Sequence, residues 1–517
     1  MSETTTQRAQ SHRLAAGGLV DRARPLAFTF DGQRYQGYAG DTLASALLAN
    51  GVHLVGRSFK YHRPRGIVGS GVEEPNALMQ VGTGPRTEPN IKATQCELYD
   101  GLVAQSQNRW PSLAFDLRSV ASCVSKILPS GFYYKTFMWP PSPRGWLFWE
   151  RFIRRAAGLG KAPTERDPDR YDKTFAHCDV LVVGGGPAGL SAALAAGRSG
   201  ARVVLVEMDF ALGGWLLTQR DARIDGQPAL DWVAQTRAEL ERLPEVRILT
   251  RTLCYAYYDH NFLGLWQNLG DHLPPEQQKG PRHRLWKLRA TQVVLATGAL
   301  ERPLVFRDND RPGVMLASAA QAYVNRWGVL PGKRVVVLTN NDSAYGAALD
   351  LRVAGVEIAA VVDLRADPDG RLTQLAEDGG IRTLPGHAIT AVEGSHRASG
   401  VRVATLDASG TAVAESAQTL ACDLVLNAGG FTPTVHLFSQ AKGKLGWDEA
   451  RHWFRPGEAG QPAQRSAGAA NGTWGLGATL AEGHAAGIAA ATGAGFTAEG
   501  GAAAASAADE DFLPLRP

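Results

Sequence analysis

The sequence is short of sulfur, nearly neutral overall, and has no long apolar stretch. Its five cysteines, Cys96, Cys123, Cys178, Cys254 and Cys422, are scattered through 517 residues with no Cys-x-x-Cys spacing. An odd, dispersed set argues against a disulfide framework and for reduced thiols in a cytoplasmic protein. It argues equally against an iron–sulfur cluster, which needs four clustered thiolates. A formal net charge of +4 is small for this length and gives no reason to invoke nucleic acid. No run of about 18 apolar residues occurs, so no membrane span is expected. The opening stretch, residues 1–24, is polar and lacks the apolar core of a secretory signal; it reads as a disordered lead-in.

Glycine is plentiful, with 58 residues, as turn-rich nucleotide-binding units require. At about 100–200 residues per domain the length predicts roughly three domains. Leu26 to Gln36 alternates around Asp31-Gly32 and predicts a hairpin; Asp41 is expected to cap a helix over Thr42 to Asn50 that stops at Gly51. This order predicts a ferredoxin-like β-grasp domain over residues 25–107. Its stretch Lys60 to Pro75 sits where a plant-type ferredoxin carries its cluster loop, but holds no cysteine. Residues 108–175 form a connecting segment rich in Trp110, Trp139, Trp146, Trp149, Arg144, Arg151, Arg154 and Arg155. It either packs on its own chain or faces a partner protein, where Trp and Arg are enriched.

Beyond Asp179 strands and helices alternate, predicting an α/β fold of two interleaved Rossmann-like dinucleotide-binding domains, the two-dinucleotide flavoprotein type. Residues 176–332 and 421–495 are expected to form the first and residues 333–420 the second, with 496–517 a disordered tail or linker.

The principal motif is Gly184-Gly185-Gly186-Pro187-Ala188-Gly189, between the strand Asp179 to Val183 and the helix Leu190 to Arg198. Gly184 permits the tight turn, Gly186 lets a pyrophosphate approach the backbone, and Gly189 allows close helix–strand packing. The helix N-terminus offers unpaired N–H groups to phosphate. Glu207 ends the next strand at the offset of a ribose-binding acid; a carboxylate there repels a 2′-phosphate and favours NAD, or the ADP half of FAD, over NADP. Ala296-Thr297-Gly298 ends a second apolar strand and reads as the return segment beside the cofactor. Gly468 and Ala469 precede a helix from Leu476 whose N-terminus is a further cofactor contact.

Strand Arg334 to Leu338 leads into Thr339-Asn340-Asn341-Asp342-Ser343 rather than a glycine loop. Cβ atoms there obstruct a phosphate and Asp342 repels it, so one dinucleotide is expected for the chain. His62, His260, His283 and His436 lack metal-type spacing and read as surface or interface residues; no metal is expected. No catalytic triad or carboxylate pair stands out, and no catalytic residue is assigned.

Several long strings carry a family resemblance: Phe59 to Gly66, Glu73 to Ala77, Tyr258 to Asn261, Ala296 to Pro303, Thr339 to Tyr345 and Thr432 to Gln440. From about Leu26 to Gly495 the chain resembles the N-terminal half of the alpha subunit of heterotetrameric sarcosine oxidase. The resemblance implies a tightly held NAD contacted by Ala188, Glu207, Met208, Asp209, Trp215 (with its neighbour Gly214), Cys254, the loop from Gly468 to Asn471, and Leu476. Met208 and Trp215 depart from the acidic and small residues of the family pattern. It also implies beta, gamma and delta partner subunits: FAD and FMN held with the beta subunit, which oxidises the amine, and zinc on the delta subunit. The folate-binding, aminomethyltransferase-like half of such subunits has no counterpart in this sequence, so tetrahydrofolate binding is not expected. The implied reaction converts sarcosine, oxygen and water to glycine, a one-carbon unit and hydrogen peroxide. The alternatives are one chain of an FAD-dependent amino-acid, opine or cyanide-forming dehydrogenase, and a non-catalytic assembly module.

Overall fold

A computed structural model describes residues 10–123, 139–460, 463–497 and 504–508. The chain forms two compact units, each assembled from separated segments: Met1–Pro168, Leu304–Thr339 and Ala344–Asn427 in one, Asp169–Pro303, Asn340–Ser343 and Ala428–Pro517 in the other.

The first unit opens with a five-stranded sheet ordered Gln33–Ala39, Asp21–Phe30, Leu102–Ser106, Leu78–Val81, Glu88–Lys92. Asp31 and Gly32, with φ of 49° and 79°, make the two-residue turn between the first antiparallel pair. Asp21–Phe30 then pairs in parallel with Leu102–Ser106, the arrangement of a β-grasp. The helix Leu43–Ala49 is buried at every position, and Phe28, Phe30 and Met79 of the sheet are buried as well. Its cap is Thr42 rather than Asp41: Thr42 Oγ1 accepts the Ser45 N–H at 3.2 Å and Ser45 Oγ the Thr42 N–H at 3.0 Å. Asp41 instead binds Arg13 at 2.6 Å, both side chains buried. The lead-in reading therefore fails from Gln10 onward, since this ion pair fixes the segment and a strand starts at Asp21; residues 1–9 lie outside the described residues.

The same unit contains a five-stranded sheet ordered Val314–Leu316, Leu424–Ala428, Arg334–Thr339, Glu357–Asp363, Thr383–Pro385, and an antiparallel three-stranded sheet of His387–Gly394, Ala398–Thr405 and Gln418–Ala421. Because Val314–Leu316 joins this five-stranded sheet, the unit boundary falls at Pro303/Leu304, ahead of the expected residue 332. Within the connecting segment Ser142 caps a helix, Pro143–Ala156. Trp139, Leu147, Phe148 and Phe152 are each at least half exposed, as are Trp110, Phe115 and Val120 earlier in the segment.

The second unit is built on parallel strands ordered Val246–Leu249, Val203–Val206, Tyr171–Val183, His283–Leu295, Gln464–Ser466. His283–Leu295 serves twice. Its first half pairs antiparallel with Phe262–Asn268, and its second half runs parallel to Gln464–Ser466. Alternate residues feed two cores: Val180, Val182, Val203 and Leu205 pack beneath the helices, and Leu181, Val183, Val204 and Val206 pack on the other face. The first strand starts at Tyr171, earlier than Asp179, because residues 171–177 alternate exposed and half-buried positions that carry no apolar run. The tail reading also fails in part: Ser506 and Asp225 exchange backbone and side-chain hydrogen bonds, with Asp225 N–H to Ser506 O at 2.8 Å and Ser506 N–H to Asp225 Oδ1 at 2.7 Å. Residues 498–503 and 509–517 lie outside the described residues. No helix among the described residues is long and apolar enough to cross a membrane.

Candidate dinucleotide site

At the carboxyl ends of the central strands of the second unit, three successive turns come together. Gly184 donates to Val206 O at 2.8 Å, Ala296 to Val183 O at 2.8 Å, and Ala467 to Leu295 O at 2.9 Å, so the turns after residues 183, 295 and 466 share one edge. Gly184 has φ of +109°, and a Cβ there would lie 2.2 Å from Ala296 O. A Cβ on Gly189 would lie 1.8 Å from Gly184 O, so this glycine is demanded by the turn packing on its own helix. Gly186 differs: a Cβ there would meet nothing closer than Gly214 Cα at 4.0 Å. The protein leaves that space open, and it lies at the N-cap of the helix Pro187–Arg198, where no side chain caps the first-turn amides, which lack intrahelical acceptors. The helix begins at Pro187 rather than Leu190, since proline at the first position sacrifices no intrahelical bond.

Glu207 closes the site from the neighbouring strand. Its Oε2 accepts Gly185 N–H at 2.6 Å and its Oε1 accepts Asp209 N–H at 2.8 Å. Burial raises its carboxyl above the ordinary range, while the amides of Asp209 and Gly185 work against that rise. Gly213 N–H donates to Gly185 O at 2.8 Å and brings Gly214 against Gly186. Trp215 packs part-buried against the helix-side core, and Met208 is 36% exposed at the rim. Thr297 Oγ1 donates to Thr434 O at 2.8 Å, and Thr434 N–H returns a bond to Gly298 O at 2.9 Å.

The last wall is Gly468, Ala469 and Leu476. A Cβ on Gly468 would lie 2.9 Å from Ala188 Cβ, so this loop rests directly on the first helix. The helix Leu476–Gly493 presses on the same helix through Gly483 and Gly487, whose Cβ atoms would each lie 2.3 Å from the Ala188 and Ala192 carbonyls. Glu482, which sequence reasoning missed, holds the loop: its carboxylate accepts Gly468 N–H and Asn471 Nδ2, both at 2.6 Å. Its only signal was an acid in an otherwise alanine- and glycine-rich helix. Cys254 stands apart from these residues. It is buried in the core on the other face of the sheet, beside Leu249 and Leu265, and burial pushes its thiol up to about 12.

In the first unit, the acid topologically equivalent to Glu207 is Asp363, at the end of the second strand of the other Rossmann-like sheet. It is fully buried and already occupied: Tyr345 Oη donates to it at 2.9 Å and Arg365 Nη2 at 2.8 Å. Two of the histidines expected at the surface or an interface are buried and paired, His62 Nδ1 with Asp116 at 2.7 Å and His283 Nε2 with Asp271 at 2.9 Å; aspartates 54 and 12 residues away supply the partners. Among the described residues no three His, Cys, Asp or Glu side chains gather as metal ligands.

A parallel sheet with a glycine turn, a strand-end acid and two helix N-termini at one edge defines a dinucleotide-binding oxidoreductase fold. The chain belongs to the pyridine nucleotide-disulphide oxidoreductase family, which matches residues 178–451. More particularly, it is 49% identical to the alpha subunit of sarcosine oxidase from Rhizobium meliloti (strain 1021), over 92% of its length and 46% of that protein's. It therefore spans about half the length of these curated relatives. One of the opine oxidase subunits of Agrobacterium tumefaciens (strain Ach5) is 28% identical over 54% of the chain and 57% of that protein. Among solved structures, L-proline dehydrogenase from P. horikoshii shares the fold with a TM-score of 0.63 at 20% identity, over 95% of this chain and 77% of that one. Residues 23–109 match a 2Fe-2S iron-sulfur cluster binding domain.

Proposed function

We propose that this chain is the NAD-carrying, alpha-type subunit of a flavin-dependent amine oxidase of the sarcosine oxidase kind. The observation that carries the reading is the open space at Gly186 beside Glu207: a glycine the protein's own packing does not require, at a helix N-terminus, within reach of a fixed carboxylate. The amides following Gly184 would take the pyrophosphate, and Glu207, which spends one lone pair on each backbone amide, keeps others for the ribose hydroxyls. Met208, Asp209, Gly214, Trp215, Thr297, Gly298, Gly468, Ala469 and Leu476 would line the remainder. When bound, NAD adds stability by mass action and supplies a nicotinamide able to accept hydride.

In this reading oxidation of sarcosine to glycine, a one-carbon unit and hydrogen peroxide takes place in a beta-type subunit with FAD and FMN, and gamma- and delta-type subunits complete a cytoplasmic heterotetramer. The exposed aromatic side chains from Trp110 to Phe152 support a partner-facing role for the connecting segment. The occupied Asp363 supports a single dinucleotide per chain. The ADP half recognised by Glu207 is common to NAD and FAD, and the similarity to an opine oxidase chain keeps an FAD-bearing dehydrogenase as the second reading.

Denaturing the purified chain and weighing the released nucleotide tests both readings. Colourless NAD is expected, together with capture of a flavin-bearing partner. A yellow chain releasing FAD selects the second reading, and a nucleotide-free chain refutes the site.

A further inference from the structure

The domain matched to a 2Fe-2S fold contains one cysteine, Cys96, where a cluster needs four thiolates. The cluster does not fit these residues, and the loop shows what it holds instead. Glu74 is fully buried. Its Oε2 accepts the N–H groups of Val68 and Gly69, both at 2.7 Å, and its Oε1 accepts those of Asn76 at 2.6 Å and Ala77 at 2.9 Å. The adjacent Glu73 accepts Ser70 N–H at 2.6 Å and Gly71 N–H at 2.8 Å through one oxygen. A Cβ on Gly69 or Gly71 would lie 2.5 or 2.8 Å from the Glu73 carboxylate oxygens, so both glycines serve the carboxylates.

Backbone amides turned inward on one centre are what a cluster loop offers to anionic sulfur. Here the same kind of cradle closes on carboxylate oxygen, through charge-assisted bonds about twice as strong as neutral ones. With its amides turned inward, the loop presents carbonyls outward. Val68 O accepts Leu316 N–H at 2.8 Å, and Gly69 O accepts Oη of the fully buried Tyr323 at 3.0 Å. Gly66 completes the contact, since a Cβ there would lie 2.8 Å from Pro312 Cα.

We infer that the loop Val68–Ala77 is built around the Glu74 carboxylate as a resident anion in place of a cluster, and braces the β-grasp domain against the strand Val314–Leu316 and helix Ala317–Asn325. The inference rests on the ferredoxin-like assignment of residues 25–107 and is independent of the nucleotide reading.

Glu74→Gln keeps the size but sets an NH2 group against two donor amides, so the melting temperature of the full chain should fall by several degrees. Glu74→Ala should fall further and regain stability in formate, which fills the cradle, to a degree the wild-type chain does not show. In the wild-type chain, hydrogen exchange at Val68, Gly69, Asn76 and Ala77 should be as slow as in the adjoining strands, a measurement that needs no variant to fold. Anaerobic treatment with ferrous iron and sulfide should leave the chain colourless apart from any bound nucleotide. The inference is overturned by a Glu74→Gln chain as stable as wild type, by loop-like exchange at those four amides, or by a stoichiometric cluster with its paramagnetic signal on reduction. Nucleotide content, read on the same samples, reports separately on the dinucleotide site.

Discussion

Glu207 Oε2 lies 2.6 Å from the backbone nitrogen of Gly185, so the acid proposed to face the ribose also pins the turn proposed to face the phosphates. Glu207→Gln replaces one acceptor oxygen by a donor facing a donor. Leaving a buried amide unsatisfied costs about 1–3 kcal/mol, so, to the extent that the turn is distorted, nucleotide retention should fall by up to roughly fivefold to 150-fold. The stoichiometry of nucleotide on the purified variant checks this.

The same residue sets a pH dependence. Its carboxyl is raised by burial, so a nucleotide that needs the ionised form should be released on acidification beginning above the ordinary glutamate value of about 4.3. In the emptied chain the consequence reverses. A raised value means the folded state prefers the protonated acid, so this contribution to stability is complete below the unfolded value and lost as pH rises through the folded one. Nucleotide retention should therefore fall from pH 7 downward, whereas the Glu207 contribution to the melting temperature of the emptied chain, read as the difference from emptied Glu207→Gln, should become more favourable.

Two glycines separate binding from folding. Gly186→Ala has room in the protein itself and should melt close to wild type while losing its nucleotide. Gly483→Ala forces a methyl group to within 2.3 Å of Ala188 O and must push two helices apart, a cost of about 1–3 kcal/mol. Thermal melts and nucleotide content on both variants check the contrast; equal behaviour of the two would remove Gly186 from the site.

Buried thiols give a labelling pattern. Cys178, Cys254 and Cys422 are pushed up to about 12 by burial, and Cys96 is also buried, whereas Cys123 is exposed. Since the thiolate is the reactive form, alkylation of the native chain near neutral pH should modify Cys123 alone, and all five only after denaturation. Intact-mass measurement counts the adducts.

Asp363 is predicted to be structural. Asp363→Ala removes the buried carboxylate that pairs with Arg365 and accepts from Tyr345 Oη, and should destabilise the chain by about 3–5 kcal/mol. Nucleotide content per folded chain should stay unchanged, which denaturant titration with parallel nucleotide assay would show.

Sequence reading located the elements whose character is local. Val180 to Val183 and Val293 to Leu295 are apolar runs leading into small residues, Val203 to Val206 is one leading into the acid Glu207, and the glycine turn at Gly184 announces itself by spacing. What escaped was long-range or one-sided. Residues 171–177 are strand only because His283–Leu295 pairs with them, although half their side chains face solvent. Asp41 was mistaken for a cap because its real partner, Arg13, lies in a stretch that reads as disordered. The Asp363 and Arg365 pair could not be told from a ribose-binding acid without the packing that closes over it. Glu482, fourteen residues past the glycine it anchors, was marked only as an acid among alanines and glycines, which does not say what it holds.

The dependence of Ala188 and Ala192 on Gly483 and Gly487 imposes an order on biosynthesis. The glycine turn and its helix leave the ribosome early, but the helix that covers them is translated after the whole of the second Rossmann-like sheet. Through that interval the first helix keeps an alanine-lined face uncovered, until Leu476–Gly493 arrives.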